Sequence, residues 1–239
     1  MQSRIIAVRC ASVFVVLALT GCAHGPRDPA PAFGITRLIE PLQVDGRLDE
    51  PIYQRVVPVT DFRVASRPGA KASPTRAWLL WNEAGLWFAF AAQDATLVAA
   101  SPTADEHAVD TQDRVEIFLW PPGSRRYSCL EIAPDGAVHD YAARIYRQFD
   151  DSWTPAGARF AARRTPDGYA VEGFLPVAAL HAMGMRSWEP GTRLHLGLYR
   201  ADFRPEAPND PIWLTWVEPN IPKPDFHVRA TFAPVSLTP

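Results

Sequence analysis

The run Arg114-Val115-Glu116-Ile117-Phe118-Leu119-Trp120 alternates in steps of two, with Val115, Ile117 and Leu119 on one face and Glu116, Phe118 and Trp120 on the other. That is the period of a β-strand. The first face is made for a core. The second joins an acid to two aromatic rings, a combination atypical of a plain solvated surface.

The same period recurs over residues 76–81, 85–94, 127–133, 137–141, 158–163, 169–175, 193–201, 212–217 and 229–235. Turn signals separate the runs at hairpin spacing: Asn82-Glu83-Ala84-Gly85, Pro121-Pro122-Gly123, Pro134-Asp135-Gly136 and Pro166-Asp167-Gly168. The pattern predicts an all-β fold, an antiparallel β-sandwich of about ten strands. Residues 176–183 read as its one short helix, because Pro176 suits a first turn and Val177, Leu180 and His181 share a face. Trp78, Trp81 and Trp87 lie in the most hydrophobic hairpin and are expected in the core. Cys129, within an alternating run, is expected to pack there as a small hydrophobe.

Composition agrees with this reading. Of 239 residues, 24 are proline, which disfavours long helices, and 47% are hydrophobic, which provides for a core. Bases number 24 against 26 acids, so there is no electrostatic footprint for nucleic acid. Residues 35–239 show no further composition break and no repeat, and are expected to form one domain.

The N-terminus has the layout of a secretory signal: Arg4 and Arg9, an apolar stretch from Cys10 to Leu19, then small residues. Leu19-Thr20-Gly21-Cys22 resembles the lipobox of bacterial lipoproteins. The resemblance implies a signal peptide over residues 1–21, lipid on Cys22 and a membrane-anchored protein of the bacterial cell envelope. Ala23, where an aspartate would retain such a protein in the inner membrane, points to the outer membrane. Residues 22–34, rich in proline, read as a flexible tether. With Cys10 removed and Cys22 lipidated, Cys129 has no intramolecular disulfide partner.

Motifs in a fixed order resemble carbohydrate-binding module family 9 and its relatives of the DOMON-type sandwich superfamily. They are Val44-Asp45-Gly46-Arg47-Leu48-Asp49-Glu50-Pro51-Ile52-Tyr53, the hairpin from Trp78 to Asp94, Asp113-Arg114-Val115-Glu116-Ile117-Phe118, and Gly168 to Pro176. Leu198-Tyr199-Arg200-Ala201-Asp202, Leu214-Thr215-Trp216 and Phe226 to Phe232 complete the series. The family's members usually accompany hydrolases and bind sugar without cleaving it. The resemblance therefore implies non-catalytic carbohydrate binding in support of glycoside hydrolases and carbohydrate catabolism, with a partner hydrolase or envelope protein.

It also implies site residues. A pyranose stacks its C–H faces on aromatic rings and needs donors and acceptors for its hydroxyls. Glu116 matches the family's hydroxyl-accepting acid and Phe226 one of its two clamping rings. The other ring position falls on or near Asp110, where this chain has none, and Trp153, in a polar loop, is the first substitute. Trp216 is a further candidate, expected to share a face with Trp213. Arg200 and His227 are candidate hydroxyl donors. Family members hold structural calcium in oxygen-rich loops, which nominates Asp45, Asp49 and Glu50. No other cofactor is required.

Other chemistries lack an anchor. The chain has no nucleophile elbow, Walker loop, paired-histidine helix or cysteine pair. If it were an enzyme, hydrolysis of O-glycosyl bonds by a carboxylate pair among Glu116, Glu131 and Glu172 would be the class. Two further readings of the same sandwich are a protein-binding or scaffolding lipoprotein and a haem-binding redox subunit using Met183 or Met185 with a histidine.

Overall fold

The structure, a computed structural model, describes residues 33–99 and 105–239. Its strands are β1 (Phe33–Arg37), β2 (Arg63–Val64), β3 (Thr75–Asn82), β4 (Gly85–Gln93), β5 (Arg114–Trp120), β6 (Arg126–Ile132) and β7 (Val138–Arg144). They continue with β8 (Gln148–Asp150), β9 (Arg159–Thr165), β10 (Gly168–Pro176), β11 (Arg193–Asp202), β12 (Ile212–Thr215) and β13 (Ala233–Leu237). Helices are short: α1 (Ile52–Arg55), α2 (Val177–Met183) and 3-10 turns at Glu106–Thr111 and Arg229–Thr231. The helix expected after Pro176 is α2, while α1 and the two 3-10 turns went unanticipated.

The strands form one curled sheet in the order β8-β7-β6-β5-β11-β13-β1-β3-β4-β10-β9, with β12 on β11 and β2 on β12. The sheet folds on itself into two layers. β1 joins them, pairing through Phe33, Gly34 and Ile35 with β13 in one layer and through Thr36 and Arg37 with β3 in the other. Both pairings are parallel, so the expected purely antiparallel sandwich is corrected to a mixed sheet of 13 strands. The pairing of β1 with β13 spans about the whole domain, and no local turn signal announces it. β1 also begins two residues before the expected domain start. The approach is close at Gly34, where a Cβ would meet the Thr238 side chain at 2.6 Å and push it aside.

The core lies between the layers. Val115, Ile117 and Leu119 of β5, Leu194, Leu196 and Leu198 of β11, and Leu79, Trp81, Phe88, Phe90 and Val171 opposite them are all buried in it. Burial of this apolar area is the main stabilising term, at roughly 25 cal/mol per Å². The far face of the β3–β4–β10 layer is covered by the loop before α1, where Trp78, Trp87, Phe174 and Tyr53 cluster. The three tryptophans and Cys129 are buried as expected.

A buried carboxylate fixes that covering loop. Glu172 on β10 accepts hydrogen bonds from the backbone N–H groups of Asp45 (3.0 Å) and Gly46 (2.8 Å) and from the Tyr53 hydroxyl (2.5 Å). Gly46 has φ of 79°, the left-handed region that glycine enters without strain. Across the layers, Arg200 on β11 has no exposed surface and forms ion pairs with Asp94 (2.8 Å) and Asp202 (3.3 Å). It also donates to the carbonyl of Gln93 at the end of β4, at 2.9 Å.

Candidate functional site

The outer face of the β7–β6–β5–β11 layer carries the mixed acid and aromatic residues that alternation places there. Register aligns them in rows across the strands. Tyr199, Glu116, Glu131 and His139 stand in one row, and Gly197, Phe118, Cys129 and Tyr141 in the next. The chain before β13 crosses this face, setting Phe226 and Phe232 against Phe118, Tyr127 and Tyr199. A cavity of about 320 Å³ opens at the rim of this packing, lined by Arg114, Glu116, Glu131, His139, Tyr141, Phe149, Trp213, Phe226 and His227 among others.

Its floor is an ionic cluster. Arg114 Nε lies 2.9 Å from Glu116 Oε1 and 2.6 Å from Glu131 Oε2, and its side chain is almost fully buried. The Arg114 Nη1 donates to the Asp110 carbonyl at 3.1 Å, while Glu131 accepts from the Tyr141 hydroxyl at 2.6 Å. Burial, reinforced by the adjacent Glu131, pushes the Glu116 carboxyl up to about 8. The raised pKa biases Glu116 toward its protonated form, in which the carboxyl can donate as well as accept.

The walls are aromatic. Phe226 lies flat on Tyr199, with ring centroids 4.2 Å apart and planes at 14°, and Trp213 meets it edge-on at 5.6 Å. The Arg114 guanidinium sits 5.4 Å from the Trp213 ring. At the mouth, half-exposed Phe149 packs edge-on against Tyr141 and His227. His227 Nδ1 shares a hydrogen bond of 2.8 Å with the Tyr127 hydroxyl. Burial and the nearby Arg147 lower the His227 pKa to about 4, so its ring is neutral.

Three of the residues nominated from sequence thus meet in one cavity: Glu116, Phe226 and His227. Arg200 does not. It follows Tyr199 on β11, so alternation turns it to the opposite face, where it clamps the two layers. Trp153 packs at the edge of the interlayer core, and Trp216 meets Phe33 edge-on at 5.7 Å. Trp213 and Trp216 do not share a face: Trp216 lies just past the end of β12, and of the two only Trp213 lines the cavity. Two of the nominated calcium ligands, Asp45 and Glu50, brace the covering loop. Asp45 Oδ1 accepts from Arg47 N–H at 2.9 Å and Glu50 Oε1 from Gln43 N–H at 3.4 Å. Asp45, Asp49 and Glu50 do not appear together in a three-donor cluster among the described residues. Met183 and Met185 are buried in the interlayer core, and neither lines the cavity. Cys22 lies outside the described residues.

Glu131, named only as a carboxylate of the hydrolytic alternative, and His139 and Phe149 were missed as sugar-site residues. The first two were legible in principle: the Pro134-Asp135-Gly136 turn sets a hairpin in which Glu131 faces His139. Phe149 sits on a three-residue strand too short to show a period.

No family profile and no curated protein sequence matches the chain. Solved structures do. A candidate carbohydrate-binding protein from Bacteroides uniformis superposes with a TM-score of 0.67 at 15% identity, over 86% of this chain and 98% of that one. A family 9 carbohydrate-binding module from Caldicellulosiruptor kristjanssonii, in complex with glucose, superposes with a TM-score of 0.56 at 17% identity, over 85% and 96%. The cellotriose complex of a family 9 module from the same organism gives 0.57 at 17% identity, over 85% and 92%. The chain has the fold of the family 9 carbohydrate-binding modules.

Proposed function

We propose that this chain is a lipid-anchored protein of the bacterial envelope that binds carbohydrate without cleaving it, in the cavity between Phe149, Phe226 and the Arg114 cluster. The observation that carries the reading is the convergence of aromatic rings with a buried donor and acceptor set in one cavity. Ring faces suit the C–H faces of a pyranose, and Arg114, Glu116 and Glu131 suit its hydroxyls. The solved neighbours in complex with glucose and cellotriose support the same ligand class. Phe149, at the mouth, supplies the second ring that is missing near Asp110. A cavity of about 320 Å³ suits a chain end or one to two sugar units rather than a long chain laid across a flat face.

The anchor rests on the lipobox ending in Cys22, and a tether running from Cys22 up to β1 leaves the cavity free to meet glycans handled by a partner glycoside hydrolase. A glycan array probed with the purified protein tests the reading. Selective retention of a glycan family, lost in Phe226→Ala, supports it. Uniform absence of binding by correctly folded protein contradicts it.

A further inference from the structure

Beside the sugar cavity stands a second cluster, with its own chemistry. The 3-10 turn Glu106–Thr111 lies against β7, where the His107 and His139 rings meet at 4.7 Å, centroid to centroid. His139 is 5% exposed. Its Nδ1 donates to Asp110 Oδ1 at 2.8 Å. A carboxylate receiving one ring N–H of a histidine fixes the tautomer and leaves the other nitrogen's lone pair as the available ligand. That other nitrogen, Nε2, is buried and has no hydrogen-bond partner. A buried polar atom without a partner is costly and calls for an explanation.

Three ligating side chains converge here. One donor atom each from Glu106, His107 and His139 lies within 4.8 Å of the others. An ion bonded at about 2.0–2.1 Å spaces tetrahedral ligands about 3.4 Å apart, so small rotamer changes in exposed His107 and half-buried Glu106 close the set. The surroundings favour a cation: Glu106, Asp110 and Glu131 stand near, and Arg114, which contacts the Asp110 carbonyl, is already matched by Glu131 at 2.6 Å.

We infer that Glu106, His107 and His139 form a site for a zinc-class divalent ion at the wall of the cavity, with Asp110 as the positioning residue for His139. Two imidazoles and a carboxylate suit zinc, whereas calcium prefers oxygen ligands alone. Three protein ligands leave a fourth position for water or for an oxygen of whatever occupies the cavity. The site is distinct from the oxygen-rich loop at Asp45, Asp49 and Glu50, and it does not depend on the identity of the sugar ligand.

The test is titration of the purified protein, in mild detergent and without sugar, with zinc chloride against a chromophoric chelator. One equivalent should bind with micromolar or tighter affinity. His107→Ala and His139→Ala should each weaken it at least tenfold, and Asp110→Asn should weaken it by about tenfold through the outer shell. His107 is exposed, so its variant remains folded and keeps the test decisive if the His139 variant does not. Zinc affinity unchanged in His107→Ala, or equal to that for calcium chloride, overturns the inference. Sugar binding measured separately, with and without chelator, shows which of the two readings fails.

Discussion

Glu116 on β5 and Glu131 on β6 stand directly opposite each other, and both carboxyl groups close on one nitrogen, the Nε of Arg114, at 2.9 and 2.6 Å. Two buried acids sharing one base cannot both ionise cheaply, and burial together with the neighbouring Glu131 raises the Glu116 pKa. The cavity floor thus presents donors and acceptors side by side.

The raised pKa has a consequence for stability. The folded-state pKa of Glu116 is about 8 and that of Asp113, raised by burial and by Asp94 and Asp202, is about 7, both far above ordinary carboxyl values. The folded state therefore holds protons that the unfolded chain has lost, and stability falls as pH rises through this range, by on the order of 1 kcal/mol per pH unit. His227 acts in the opposite sense, but only below its ordinary value of 6.5 and down to about 4. Thermal melts should show Tm dropping between pH 6.5 and 8, with a flatter slope in Glu116→Gln.

Glu172 should matter for the fold and not for the ligand. Glu172→Ala strands two backbone donors and the Tyr53 hydroxyl, which should cost about 3 kcal/mol in urea unfolding. Tyr53→Phe removes one of those bonds and should cost about 1 kcal/mol. Sugar affinity of the folded fraction should be unchanged in both.

Arg200→Ala leaves Asp94 and Asp202 buried without their cation. The expected loss is about 3–5 kcal/mol, against a small effect on binding. Denaturant midpoints alongside affinity separate this clamp from a ligand contact.

Replacement of Cys22 by serine should move the protein from the membrane to the soluble fraction and remove the lipid mass from the mature N-terminus. Membrane fractionation with mass spectrometry reads both.

Most strands were legible because their hydrophobic period is local and their turns carry glycine and proline. The strand Phe33–Arg37 was not, since its partners lie near Thr75–Asn82 and Ala233–Leu237. Alternation placed Glu116 on the cavity face, and the same rule, applied one residue past Tyr199, would have sent Arg200 to the opposite side. Phe149 and the His107–His139 pair depend on how a short strand and a 3-10 turn settle against the sheet, which sequence periodicity does not encode. The Asp45–Glu172 connection is likewise a tertiary contact between residues 127 positions apart.

The central claim is that the cavity holds a sugar against Phe226, over the Arg114 cluster. Calorimetric titration with the array-selected glycan, or with glucose and cellotriose, measures it in parental protein, Phe226→Ala and Glu116→Gln, with circular dichroism to verify folding. Loss of a stacking ring or a buried polar contact typically costs about 1–3 kcal/mol, so affinity should fall roughly five- to a hundredfold in each variant. Folded variants that keep the parental affinity would contradict the account and place the ligand elsewhere on the protein.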